Sequence, residues 1–349
     1  MSFRAWVSLI TFLLIAMVIY LAWPEMVKAF SLADKIDFWV LGLLIPIQFL
    51  SYYASGGMIF SYLRAKGNLK TTTHWQMTRI ALELNFVNHV LPSGGVAGFS
   101  YLGWVLNRHG VSAGRATMSQ IVRFAITFLS FIAMMIIAIV VLIFDHKINR
   151  PALIVCAVMI VFVLSGVAFM VHTISRHDRL IKFSGWLTRT ANKLIKFFTR
   201  GKKHNVVKID KIEQFFTEIH HDYLEIMKDK RILIKPLIWA IVENLTNVLM
   251  ISVAFMALGA WVNPATLFVA FGLSSCAGAV SSLPGGAGVY ETIMISFLAS
   301  SGVPAEIAIA GTLLARVTLV SGAIIFGYFF YQLTINKYGK PKAKLPADI

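Results

Sequence analysis

Five ionisable residues stand in stretches that otherwise carry almost only apolar side chains: Glu83, Arg123, Glu243, Glu291 and Arg316. Asn85, Asn88, His89, Asn244 and Asn247 are their polar neighbours. A charge in an apolar surrounding is costly, so such residues either mark a functional path or neutralise one another. An arginine offers a fork of donors that matches a phosphate, and backbone N–H groups at a helix start can add to it. A nearby carboxylate can pair with that arginine or meet a cationic head group. Two readings compete. In the first, Arg123 and Arg316 bind a phosphate, with Glu83, Glu243, Glu291 and Asn88 completing the site. In the second, all of these are structural ion pairs and their polar supports.

Signs of enzyme chemistry are weak. His220-His221, with Glu218, Asp222 and Glu225 nearby, is the densest set of potential ligands, and it reads as a solvated helix face in a charged loop. There is no HExxH, no Walker loop and no nucleophile elbow. No catalytic residue, metal or cofactor is expected. Cys156 and Cys276 lie far apart in apolar sequence and build no disulfide framework.

The elements that hold these residues must be membrane helices. Of 349 residues, 58% are apolar and 14% charged, against roughly a quarter charged in a soluble domain. Apolar stretches at about 5–23, 38–62, 115–144, 151–173, 236–258 and 305–333 reach the roughly 20 residues that cross a bilayer. The stretch at 5–23 follows a short basic start but lacks a small-x-small cleavage site, so it reads as a retained helix.

Two more apolar stretches do not fit as simple crossings. One, from Ile80 to Leu106, is broken at Leu91-Pro92-Ser93-Gly94-Gly95; the other, from Pro264 to Ala299, is broken at Leu283-Pro284-Gly285-Gly286. Proline removes a helical donor and glycine loosens the backbone, so each break divides its stretch into two half-length helices. Re-entrant hairpins follow, with Pro92, Gly94, Gly95, Pro284, Gly285 and Gly286 at their tips.

Loop charge orients the chain. The 63–79 connection carries Arg64, Lys66, Lys70 and Arg79 with no acid, and 174–235 carries fifteen Lys/Arg against seven Asp/Glu. The tail adds Lys337, Lys340, Lys342 and Lys344, whereas Asn244 to Tyr290 has no charge at all. Lysine and arginine favour the cytoplasmic side, so both termini and these loops are expected inside, in an inner (plasma) membrane. The net charge of +16 thereby belongs to loops, and no nucleic acid partner is expected. Leu180, Phe183, Leu187, Leu194 and Phe198 form a stripe on a basic amphipathic helix suited to anionic inner-leaflet lipid. Ile209, Ile212, Phe216, Ile219, Tyr223 and Ile226 make a second stripe, which lies either on lipid or on the protein's own face.

A shift of 192 residues aligns the two broken stretches. Leu91-Pro92 falls on Leu283-Pro284, Gly94 on Gly286, Leu106 on Leu298, Gly110-Val111 on Gly302-Val303, and Ala113 on Ala305. Arg123 and, one step out of register, Arg316 follow about two and three turns into the next helices. The charge-derived topology makes the two copies inverted, and paired interrupted segments of this kind point to a transporter's binding site. The chain thus reads as a single all-α polytopic integral membrane domain over 1–349. It has about six full spans plus two Pro/Gly-broken re-entrant hairpins in inverted repeats at 38–144 and 236–333.

Asn85 to Gly98 (NFVNHVLPSGGVAG), Ser281 to Glu291 (SSLPGGAGVYE), Gly302-Val303-Pro304 and Ala315-Arg316 resemble the transmembrane region of lysylphosphatidylglycerol synthases, a flippase-like family. The resemblance covers nearly the whole chain. It implies movement of aminoacylated phosphatidylglycerol between leaflets, while a separate soluble domain makes that lipid from aminoacyl-tRNA. The sequence stops at Ile349, soon after its last helix, so lysyl transfer is not expected. A translocase of an anionic or aminoacylated phospholipid, or of a lipid-linked intermediate, is the leading expectation. A membrane enzyme modifying a lipid head group, or a non-transporting accessory subunit of envelope synthesis, stays open, as does a homo-oligomer.

Overall fold

The computed structural model describes residues 36–90, 96–145, 150–182, 185–186, 189–190, 209–280 and 286–339. The expected span at 5–23, the tip residues Pro92, Gly94, Gly95, Pro284 and Gly285, and the tail lysines 340, 342 and 344 lie outside these. So do Phe183, Leu187, Leu194 and Phe198 of the basic stripe. The described residues are helical, with no strand among them.

Helix α1 (Phe38–Gly42) begins where the Asp37 carboxylate accepts from the Trp39 and Val40 N–H groups at 2.9 and 3.2 Å. It runs into α2 (Leu44–Ala65). Helix α3 (His74–Val90) starts six residues earlier than the apolar stretch beginning at Ile80. The reason is a capping box: Gln76 Oε1 accepts from the Thr73 N–H at 2.9 Å and Thr73 Oγ1 accepts from the Gln76 N–H at 3.3 Å. Helices α4 (Val96–Asn107), α5 (Ala113–Phe144) and α6 (Arg150–Ile174) follow. Then come α7 (Ile209–Lys228), α8 (Ile234–Ala257), α9 (Pro264–Val280), α10 (Val289–Ser300) and α11 (Ala305–Tyr338). Five of the expected crossings are therefore helices long and apolar enough to span a membrane.

The connections sort onto two faces. Residues 66–73, 108–112 and the α7 region share one face, here the loop face, tied together by Lys66–Glu225, Ser112–Glu218 and the Ile174 carbonyl on His220. The opposite face joins Asp37 N to Ala257 O at 2.8 Å and Asn263 Nδ2 to Asp145 Oδ2 at 2.8 Å. Helices α3 and α4 pack side by side and start and end at the loop face, whereas α9 and α10 do so at the opposite face.

Shifting the bounds of α2–α5 by 192 residues reproduces those of α8–α11 to within two residues. The helix stops match as well. Val111 N bonds Leu106 O at 3.1 Å over Gly110 at φ 78°, and Val303 N bonds Leu298 O at 3.0 Å over Gly302 at φ 88°. This is the Schellman stop, in which only glycine takes the left-handed position without strain. The same bond closes α2 (Asn68 N to Leu63 O) and α8 (Ala260 N to Phe255 O). Packing crosses between the halves: α2 lies on α8, α3 on α11, and α9 on α5. Glycines permit this. A Cβ at Gly57 would meet the Trp239 ring at 2.9 Å, and one at Gly327 would meet Phe86 Cβ at 2.5 Å.

From Phe216 on, the second amphipathic stripe covers the protein's own loop face, while the Ile209 and Ile212 side chains lie outside those described. Phe216, Ile219 and Ile226 of α7 are buried among residues of α2, α4 and α5. Polar contacts fix the register. Asp222, 1% exposed, accepts from Tyr62 Oη at 3.1 Å and from Arg115 Nε at 3.1 Å. Glu225 holds Lys66 at 2.5 Å, and Glu218 accepts from Ser112 Oγ at 2.8 Å and from the Gly114 N–H at 3.2 Å, capping α5. The expectation of a solvated face thus holds for His221, whose side chain is 69% exposed, and is corrected for Asp222, a buried hub of charge.

Asp222→Ala leaves two cations and a phenol without their shared acceptor, so α7 docking should weaken by about 3–5 kcal/mol. Faster amide exchange across α7 reports it. Acid should act similarly. The Lys66 hydrogen bond and the charges of Lys66, Arg115 and His221 hold the Glu225 carboxyl below its ordinary 4.5. A folded-state pKa below the unfolded one gives a contribution complete above about pH 4.5 and lost as pH falls below that. Exchange across α7 should rise in that window.

Candidate functional site

The intramembrane charges resolve into three groups. The first surrounds Arg316. It lies eleven residues into α11, about 17 Å from the opposite face, half-way into a hydrocarbon core of roughly 30 Å. Its Nε meets Glu291 Oε1 at 2.9 Å, and its guanidinium stacks over the Tyr290 ring at 4.7 Å. The other Glu291 oxygen accepts from the Gly288 N–H at 2.6 Å, so one carboxylate both caps α10 and binds the arginine. His89, one residue from the end of α3, lies within the electrostatic reach of Arg316. The start of α10 therefore holds Arg316, on a helix that also packs against α3.

The second group centres on Arg123, ten residues into α5 and about 15 Å from the loop face. Its Nη1 donates to Ser55 Oγ at 2.8 Å, and the Ser55 hydroxyl in turn supports the Glu243 carboxylate of α8. Three helices are joined by two charges and one hydroxyl. Arg123 and Glu243 are both half-buried. Arg123 Nε has no hydrogen-bond partner among the described residues.

Glu83 forms a third group by itself. It is 1% exposed and accepts from Tyr101 Oη and from Thr334 Oγ1, the latter at 2.6 Å, bonding α3 to α4 and α11 near the loop face. The structure does not bring it to either arginine. Asn88 packs across its hairpin onto Gly98, where a Cβ would meet Asn88 Oδ1 at 2.2 Å. Asn88 Oδ1 and Asn85 Oδ1 are buried and without hydrogen-bond partners among the described residues. Asn244 instead ties α8 to Ser130 Oγ at 2.7 Å, a packing role. Of the tip residues, Gly286 is described. At φ 72° its Cβ position lies 2.6 Å from Gly278 Cα, so the arms of the second hairpin touch backbone to backbone.

Sequence reasoning overlooked Ser55 and Tyr290. Tyr290 was marked only by its place beside Glu291. Ser55 had a weak signal in Ser51 and Ser55, which repeat at helical spacing on an apolar helix.

Spanning helices, two broken hairpins from opposite faces and paired charges at mid-depth define a polytopic membrane protein with a polar interior. The sequence matches the family described as the lysylphosphatidylglycerol synthase TM region over residues 7–327, and the chain belongs to that family. It is a family of membrane proteins tied to lipid modification or transport. No curated protein and no solved structure matches the chain.

Proposed function

We propose that the protein is a lipid translocase, carrying an anionic or aminoacylated phospholipid, or a lipid-linked intermediate, between leaflets without a chemical step. The observation that carries this is Arg316, held at mid-depth by Glu291 and Tyr290 at the start of α10, with His89 near the end of α3 within its electrostatic reach. A head group crossing a bilayer needs a polar path lined by protein, and broken segments are tolerated only along such a path. The guanidiniums of Arg123 and Arg316 are the phosphate ligands in this reading. Glu291 and Glu243 hold them in place between substrates or receive a cationic substituent, and the inverted repeat supplies two alternating arrangements around one site. Purified protein in phosphatidylglycerol vesicles should speed exchange between leaflets over protein-free vesicles, and Arg123→Gln should remove most of that gain while the protein still elutes as a folded species. Exchange equal to protein-free vesicles would sink the reading.

The same proposal sets the loop face in the cytoplasm of a cell with this inner membrane, with both termini inside and anionic inner-leaflet lipid on the basic 174–235 segment. A cysteine at exposed Lys228 should then resist an impermeant thiol reagent in intact cells, and one at exposed Trp261 should react. The reverse pattern would invert the orientation.

A further inference from the structure

A polar cleft, apart from the paired arginines, opens on the loop face between the first hairpin and the end of α11. Arg79, Glu83, Gln76, His109, Lys337 and Tyr338 line it. Its cations are not committed to carboxylates: none of the ion pairs among the described residues includes Arg79 or Lys337. Arg79 instead lies over the Phe330 ring at 5.1 Å with its Nε buried and without a hydrogen-bond partner among the described residues. Lys337 lies over the Tyr338 ring at 5.1 Å. Behind them Glu83 is engaged by Tyr101 and Thr334 and attracts Arg79.

We propose that this cleft binds the phosphodiester of an anionic phospholipid, with Arg79 and Lys337 as the phosphate ligands. Two cations face one buried side chain, Glu83, already engaged by Tyr101 and Thr334, so the cleft carries net positive charge that a phosphodiester offsets. Arginine supplies the donor fork and lysine the point charge that together suit such a group. The flank indicates a lipid rather than a dissolved anion. Trp75, Tyr328 and Phe329 are 50%, 51% and 59% exposed, and Trp75 meets the edge of Phe330, the ring under Arg79, at 6.2 Å. Tryptophan and tyrosine sit at head-group level, and an exposed phenylalanine beside them suits the acyl chains. As a loading position ahead of the mid-depth arginines the cleft rests on the translocase reading; as a lipid site it does not.

The test places a cysteine at exposed Gln76 in the full chain and follows its reaction with an uncharged, bulky maleimide. Nanodiscs of phosphatidylcholine alone are compared with nanodiscs of phosphatidylcholine and phosphatidylglycerol in equal parts, and rates are normalised to a cysteine at exposed Lys70. Phosphatidylglycerol should slow labelling at 76 more than at 70, and Arg79→Gln with Lys337→Gln should abolish that difference. Equal normalised rates in the two lipids overturn the site without needing the double variant to fold. The same protection from inorganic phosphate in phosphatidylcholine nanodiscs would mark a free-phosphate site and overturn the lipid assignment. Arg123→Gln separates the two proposals: it should stop translocation and leave protection at 76 intact. Protection without any translocation by the unaltered protein would keep this site and remove the translocase.

Discussion

Arg316→Gln should cost about 3–5 kcal/mol of stability, because it strands the Glu291 carboxylate in the membrane interior. Glu291 is 4% exposed, and after the change the hydrogen bond left to it among the described residues is that from the Gly288 N–H at 2.6 Å. Heating detergent-solubilised protein and following the surviving folded peak should show the loss. Glu291→Gln combined with Arg316→Gln should recover most of it, since a glutamine can still accept from Gly288 and no lone charge is left. Transport should not recover with it. Arg316→Lys should restore stability better than glutamine does, yet fall short in transport, because an ammonium cannot replace the guanidinium fork stacked on Tyr290. A double variant no more stable than Arg316→Gln alone would remove the pair from the account. These expectations differ for Arg123, whose link to Glu243 runs through Ser55; there the loss should fall on transport more than on stability.

Gly286→Ala is the other large effect. The residue holds φ 72°, and its Cβ would sit 2.6 Å from Gly278 Cα. Left-handed strain and backbone overpacking together cost roughly 2–5 kcal/mol. Backbone cannot step aside as a flexible side chain can, so the arms must part and the hairpin end must move away from Arg316. Gly288→Ala is the comparison: φ is 82° and ψ −48°, a backbone side chains rarely adopt, but nothing lies within 4 Å of its Cβ, leaving a conformational penalty of about 1–3 kcal/mol. Gly286→Ala should therefore lower both the folded yield and transport far more than Gly288→Ala. Equal effects would show that strain alone matters and the close approach does not.

Much of the architecture was legible because bilayer physics is coarse. Apolar length marks a crossing, and proline with glycine marks a break, without any knowledge of packing. The 192-residue shift was readable from Leu106 to Leu298 and Gly110 to Gly302, and the structure gives these matches a cause in the repeated Schellman stop. Gly67 and Gly259 stand at the same offset and close α2 and α8 in the same way, but no motif surrounds them to draw notice. Pair partners were not legible. Glu243 reaches Arg123 across helix contacts that sequence spacing cannot encode, and Glu83, equally intramembrane by sequence, is taken by Tyr101 and Thr334 instead. The fate of the α7 stripe was open for a similar reason. An amphipathic helix needs an apolar surface to cover, and only the buried hub at Asp222 shows that the protein supplies it.

The crossed packing of the halves constrains how the molecule can be made. Helix α3 rests on α11, whose last residue comes about 250 positions after Val90, an interval of about 10–50 s at ordinary rates of synthesis. Throughout it the α3 flank bearing Glu83 has no Thr334 to bond and no wall against lipid. Neither half can mature on its own and dock later as a finished piece; the second must be inserted into the first while the first is still open. Throughout that interval a nascent chain of this design is a substrate for whatever shelters polar helices beside the translocon, and the closing of the α3 flank waits on the arrival of α11.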